Sequence, residues 1–166
     1  MRYKICIFLL AGIAVASAMD RVYESRTEAG ESRRPAMKPV PFRLAKPDKP
    51  LIVLETMVNG DGPFQFILDT GAGLTMISPE LAEKLEVSRD EAQTAIGAGG
   101  SVQVHFGTVK SLAIGDTRLE MLKVGIMDLT GIEKAIETDV DGIVGYNFLS
   151  KFRVSIDYPQ ENVTFE

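Results

Sequence analysis

The residues best placed to do chemistry are Asp69, Thr70, Gly71 and Ala72, which follow directly on the apolar run Phe64-Gln65-Phe66-Ile67-Leu68. A buried strand that delivers a carboxylate into a glycine turn holds it rigidly, and nearby backbone N–H groups and a hydroxyl can donate hydrogen bonds to it. A charge set beside apolar residues carries a desolvation cost, so its presence asks for a function. General acid or base catalysis is the chemistry open to such a group. Far downstream, a second apolar pair closed by glycine, Ile143-Val144-Gly145, could support it.

Three elements occur in order along residues 51–166. Asp69-Thr70-Gly71-Ala72 is followed by Leu74-Thr75-Met76-Ile77-Ser78, then by Ile96-Gly97-Ala98-Gly99-Gly100-Ser101-Val102-Gln103-Val104, and finally by Gly142-Ile143-Val144-Gly145-Tyr146-Asn147-Phe148-Leu149. A bare Asp-Thr-Gly arises by chance in many proteins, but the ordered set is specific. It resembles the active-site loop, flap hairpin and apolar-apolar-Gly strand of the retropepsin-like (retroviral-type, single-domain) aspartic protease family. The resemblance implies that Asp69 is catalytic and that Thr70, Gly71 and Ala72 shape its loop. It implies a flap over substrate at Ile96, Gly97, Ala98, Gly99 and Gly100, support from Ile143, Val144 and Gly145, and neither metal nor cofactor. The plainer reading of the flap glycines is a loose hairpin. Retroviral members place an acidic residue and an Arg where this chain has Gly73 and Tyr146. Loss of both partners reads as coordinated replacement, since losing one would strand a buried charge. It points toward cellular, bacterial relatives.

Composition bounds the setting. Arg2 and Lys4, the apolar stretch 5–15 and Ala16-Ser17-Ala18 describe a signal peptide over residues 1–18. Export to the periplasm or medium follows; a membrane anchor is the alternative if the segment is not cleaved, although its apolar core falls short of the ~20 residues a spanning helix needs. The single cysteine, Cys6, lies in that leader, so the remainder does without disulfides and thiol chemistry. Loss of Arg2 and Lys4 deepens the formal charge from −5 to −7. Such an acidic chain is a poor partner for nucleic acid. Residues 19–49 are charged and proline-dotted, as expected of a flexible linker or propeptide. The stretch 51–166 suffices for one domain, and no second Asp-Thr-Gly provides a second lobe.

The elements that must position Asp69 are mostly strands. Runs 51–58 and 64–68 flank the turn Asn59-Gly60-Asp61-Gly62, and 111–114 and 117–126 flank Gly115-Asp116. Residues 102–106 and 152–156 alternate apolar with polar. Ser78-Pro79 predicts an N-cap and first helical position, with a short helix reaching about residue 86. The fold expected is all-β with short helices: a closed retropepsin-like acid-protease β barrel, one lobe per chain. Strand 162–165 ends the chain and is expected at an edge. In the family the termini of two protomers interleave there, which Val163 and Phe165 would suit; alternatively, the tail folds back on its own barrel.

One carboxylate cannot both activate water and polarise a carbonyl, but two can. A symmetric homodimer brings each Asp69 beside its own copy, and two such carboxylates share one proton. The function expected is an aspartic endopeptidase with a polypeptide substrate, held in a groove lined by Leu74, Ile96 and Ile143. The alternative is a catalytically silent module that binds peptides or a partner with the same fold. His105, alone on an alternating strand, reads as a surface or flanking residue. Asp139-Val140-Asp141-Gly142 lacks the spacing of a calcium loop and reads as a solvated turn. Asn162-Val163-Thr164 matches a glycosylation acceptor, without meaning in a bacterial protein.

Overall fold

A computed structural model describes residues 37–46, 49–97 and 100–166. The expected signal peptide, most of the expected linker, and Ala98 and Gly99 lie outside the described residues. No helix among the described residues is long and apolar enough to cross a membrane.

Val40, Phe42 and Leu44 alternate with Pro41 and Arg43, and this period of two makes strand β1 (Val40–Lys46). Sequence assigns the stretch to the linker because prolines and charges dominate it. The structure corrects that assignment: Val40 and Phe42 are buried, and β1 pairs with the next strand. β2 (Lys49–Val58) and β3 (Asp61–Leu68) form an antiparallel hairpin. Its turn is the two residues Asn59 and Gly60, with φ of 56° and 90°, the mirror-type turn whose twist suits a hairpin. β3 therefore starts at Asp61, ahead of the expected Phe64.

After the Asp69 loop come β4 (Met76–Ile77) and helix α1 (Pro79–Lys84). Ser78 caps α1 as expected, its Oγ accepting from Leu81 N at 3.1 Å. β5 (Gln93–Gly97) turns into β6 (Gly100–Ile114), a strand of 15 residues that pairs first with β5 and then with β7 (Thr117–Ile126). An unexpected helix, α2 (Thr130–Ile136), follows. β8 (Gly142–Val144), α3 (Tyr146–Leu149), β9 (Val154–Asp157) and β10 (Asn162–Phe165) complete the chain.

The strand order is β5-β6-β7-β4-β8-β3-β2-β1-β10-β9, and β6 also pairs with β2. Pairing thus runs from β6 through β7, β4, β8, β3 and β2 back to β6. The all-β fold with short helices is as expected, but β5 and β9 stand outside this ring as edges, where the sequence reading expects a closed barrel. The last strand is no edge either. β10 lies between β1 and β9, with Val163 fully buried and Phe165 nearly so. Its apolar pair is used inside its own protomer, because β1 supplies a neighbour that the sequence reading had left in the linker.

β2, β3 and β8 are buried on both faces. Leu54, Phe66, Leu68 and Val144 face one apolar cluster, while Val53, Ile67 and Ile143 face a second with Leu129, Ile136 and Val140. The strand that delivers Asp69 is thereby clamped between two cores, which limits how far the carboxylate can wander.

Candidate active site

Asp69 leaves the end of β3 with its N–H donated to Val144 O at 3.1 Å. β8 makes this possible by lying between β3 and β4: it runs parallel to β3, with Leu68 opposite Val144, and antiparallel to β4, with Met76 opposite Ile143. The intervening loop arches over the end of β8, where Tyr146 N donates to Ala72 O at 2.7 Å. Asp69 is half-buried and Thr70 and Gly71 are exposed. Gly71 N donates to Asp69 Oδ1 at 2.8 Å, which orients the carboxylate. Among the described residues no donor reaches Oδ2. One carboxylate oxygen is thus held by the loop's own backbone.

Gly145 is required by the approach of two backbones. A Cβ there would sit 2.5 Å from Leu74 O and 2.8 Å from Thr75 N, neither of which can move away as a side chain could. The same crossing is tied by a buried polar network. Thr75 Oγ1 accepts from Gly145 N at 3.1 Å and donates to Asn147 Oδ1 at 2.8 Å, and Thr75 N donates to the same oxygen at 2.8 Å. Asn147 Nδ2 donates to Lys123 O at 2.8 Å, and Gly125 N donates to Thr75 O at 2.9 Å. Thr75 and Asn147 are site-building residues to which the sequence reading gives no role. The available signal was a threonine inside the apolar run 74–77 and an asparagine two residues past the critical glycine.

The structure brings Asp69, Thr70, Gly71 and Ala72 together with Val144 and Gly145. Ile143 is buried in the second cluster, against which Ala72 packs. Strict alternation along β8 sends Ile143 and Val144 to opposite faces. Leu74 is half-buried. Ile96, Gly97 and Gly100 lie in the β5–β6 hairpin, where Gly97 pairs with Gly100 and Ile96 with Ser101. Gly73 is exposed with open space where a Cβ would be, and Tyr146 is 61% exposed. The place of the retroviral ion pair is thus taken by a glycine and an exposed aromatic.

The discounted residues have structural roles. His105 Nδ1 donates to Asp90 O at 2.9 Å. Asp141 is a half-buried clasp more than a solvated turn residue: its Oδ2 accepts from Gln65 N, its N–H donates to Gln65 O, each at 2.8 Å, and its carbonyl accepts from Ser78 N. Among the described residues no group of three or more His, Cys, Asp or Glu side chains could hold a metal ion.

A model of the aspartyl protease family matches residues 54–148, more than half of the chain. The chain belongs to the aspartyl protease family. The matched span runs from β2 to α3, so this family assignment covers the Asp69 loop, the β5–β6 hairpin and β8. Among solved structures, a retropepsin-like aspartic protease from Rickettsia conorii is similar at a TM-score of 0.55 and 19% identity, over 78% of this chain and 89% of that one. At that identity the likeness is one of fold, and the fold is retropepsin-like. EIAV protease complexed with the inhibitor HBY-793 aligns at a TM-score of 0.45 and 18% identity, over 61% of this chain and 86% of that one. No curated protein matches the chain.

Proposed function

We propose that two copies of the chain combine into an exported aspartic endopeptidase, each contributing Asp69 to one catalytic dyad. The observation that carries this reading is the Asp69 carboxylate at the mouth of a doubly clamped strand, with Oδ1 held by Gly71 N and a single such loop per chain. A two-fold axis beside the loop would set the two carboxylates against each other, and one proton would serve both. The ionised Asp69 takes a proton from water as its oxygen attacks the peptide carbonyl, while the protonated one donates to the carbonyl oxygen. Collapse of the tetrahedral intermediate then passes a proton to the leaving nitrogen. The β5–β6 hairpin is the element suited to cover an extended peptide and pair with its backbone.

Asp69→Asn tests the reading. The amide oxygen can still accept from Gly71 N, so fold and self-association should persist while peptide cleavage falls by about 10²–10⁴-fold, the contribution of positioned proton transfer. Equal cleavage by both proteins would leave a binding module of the same fold as the better description.

A further inference from the structure

β6 serves two partners, and the change from one to the other falls between two adjacent residues. Up to Val104 it pairs with β5, Val104 lying opposite Gln93; from His105 onward it pairs with β7, His105 lying opposite Ile126. Among the described residues no other strand lies beside either arm of the β5–β6 hairpin, so its stance depends on its root. One face of that root is packed. Val104 is buried, and a Cβ on Gly125 would come within 3.0 Å of Val104 Cγ1, so the valine fills the notch that the glycine leaves in β7. Successive residues of a strand point to opposite faces, so His105, half-buried, leaves on the other side. There the loop 87–92, which leads into β5, runs along β6. A Cβ on Gly107 would sit 2.6 Å from Ser88 O, Asp90 N donates to Phe106 O at 2.9 Å, and Asp90 O accepts from His105 Nδ1 at 2.9 Å. Arg89 Nη2 donates to Pro79 O at 2.8 Å, which fastens the same loop to the start of α1.

The contact at Asp90 is out of register with the hairpin above it. Continued downward, the β5–β6 pairing would set Asp90 opposite Gly107, yet its N–H goes to Phe106, one residue short. Glu91 and Ala92, exposed and outside any strand, take up the slip. Where a regular ladder would offer the Asp90 carbonyl a backbone N–H, the His105 ring meets it instead. We propose that His105 is a positioning residue for substrate, a latch whose Nδ1–H bond to Asp90 O fixes the angle at which the β5–β6 hairpin leaves the sheet. The latch acts through the loop into β5 and not by contact with the peptide. Both backbone groups of Asp90 are held by neighbouring residues of β6, so the arm that leads into β5 turns about residues 91 and 92. Loss of the imidazole bond leaves that arm on a single hydrogen bond, and the hairpin then samples stances that fit an extended peptide less well.

The proposal rests on the reading of the hairpin as the cover over substrate, and the two can fail separately. His105→Leu keeps an apolar body and loses the donor, whereas His105→Asn carries an N–H on the atom next to Cγ, where Nδ1 stands. Hydrogen exchange on the full chain should show β5 and residues 100–104 exchanging about five- to tenfold faster in the Leu variant, the effect of one lost hydrogen bond on a local opening. β2 and β3 should be unchanged, and the Asn variant should match wild type. In peptide cleavage the Leu variant should raise KM by about the same factor and leave kcat within about twofold, the mark of lost binding and not of lost chemistry. Hairpin exchange that is unchanged in the Leu variant, or equally fast in the Asn variant, would overturn the latch. Acceleration spread evenly over β2 and β3 would do so too, by showing that His105 only stabilises the domain. Faster hairpin exchange with an unaltered KM would overturn the role in positioning substrate. A wild-type chain that cleaves no peptide, with the exchange pattern as expected, would keep the latch and remove the endopeptidase reading.

Discussion

Thr75→Val removes one hydroxyl from a fully buried site and keeps the shape of the side chain. Its direct consequence falls on Gly145, whose buried N–H loses the acceptor now 3.1 Å away. A buried donor left without a partner costs about 1–3 kcal/mol. Asn147 Oδ1 loses one of its two Thr75 donors but keeps the backbone N–H, so its loss is nearer the ~1 kcal/mol net value of an ordinary hydrogen bond. The added methyl group recovers up to about 0.8 kcal/mol of burial. The net destabilisation is about 2 kcal/mol, which in a domain of this size lowers Tm by roughly 6–10 °C. Urea unfolding followed by circular dichroism measures it, with Thr75→Ser as the control that keeps the hydroxyl and gives up a methyl group for about 1 kcal/mol. The expected order of stability is wild type, Ser, Val. A Val variant within about 0.5 kcal/mol of wild type, or a Ser variant less stable than Val, would show that packing and not the hydroxyl holds the crossing.

Gly145→Ala should leave little folded protein, since the new Cβ meets backbone at 2.5 Å, whereas Gly73→Ala, with nothing within 4 Å, should stay within about 0.5 kcal/mol of wild type; soluble yield and thermal melts decide. Asp128 offers a pH test. The Thr130 hydroxyl and N–H hold its carboxyl below the usual carboxylate range, with Lys134 adding a smaller pull. A depressed folded-state value adds stability above the unfolded-state value and loses it as pH falls through the folded one. Asp128→Asn should therefore lower stability in the neutral region and flatten the acid limb of a stability–pH series; an unaltered acid limb would assign that loss elsewhere.

What sequence reveals about this fold depends on how local the cause is. Asn59-Gly60 and Ser78-Pro79 act through their own backbone, so the hairpin and the cap of α1 can be read directly. The Asp69 turn is equally local. β1 is hidden because three alternating apolar residues lie among prolines and charges, and only pairing with β2 on one side and β10 on the other makes them a strand. The place of β10 was misread for the same reason, its neighbour having been assigned to the linker. α2 lacks a sustained apolar period and carries Gly131; its one early cue is Asp128, whose carboxylate accepts from Thr130 N. At the site, the Asp69 loop could be picked out by resemblance, but the Thr75–Asn147 network joins positions far apart in the chain, and no pattern short of the fold places them in contact.

The three residues of β8 divide two strands that the chain writes almost consecutively, β3 and β4. During synthesis the Asp69 turn emerges long before the strand that must slip in beside it. Closing so long a loop is entropically unfavourable and slow compared with forming a local hairpin. A partly made chain therefore carries its acidic residue on a loop with neither the Val144 carbonyl nor the Gly145 crossing to hold it. The geometry of the Asp69 loop is therefore complete only once the C-terminal third has arrived, a timing set by topology alone.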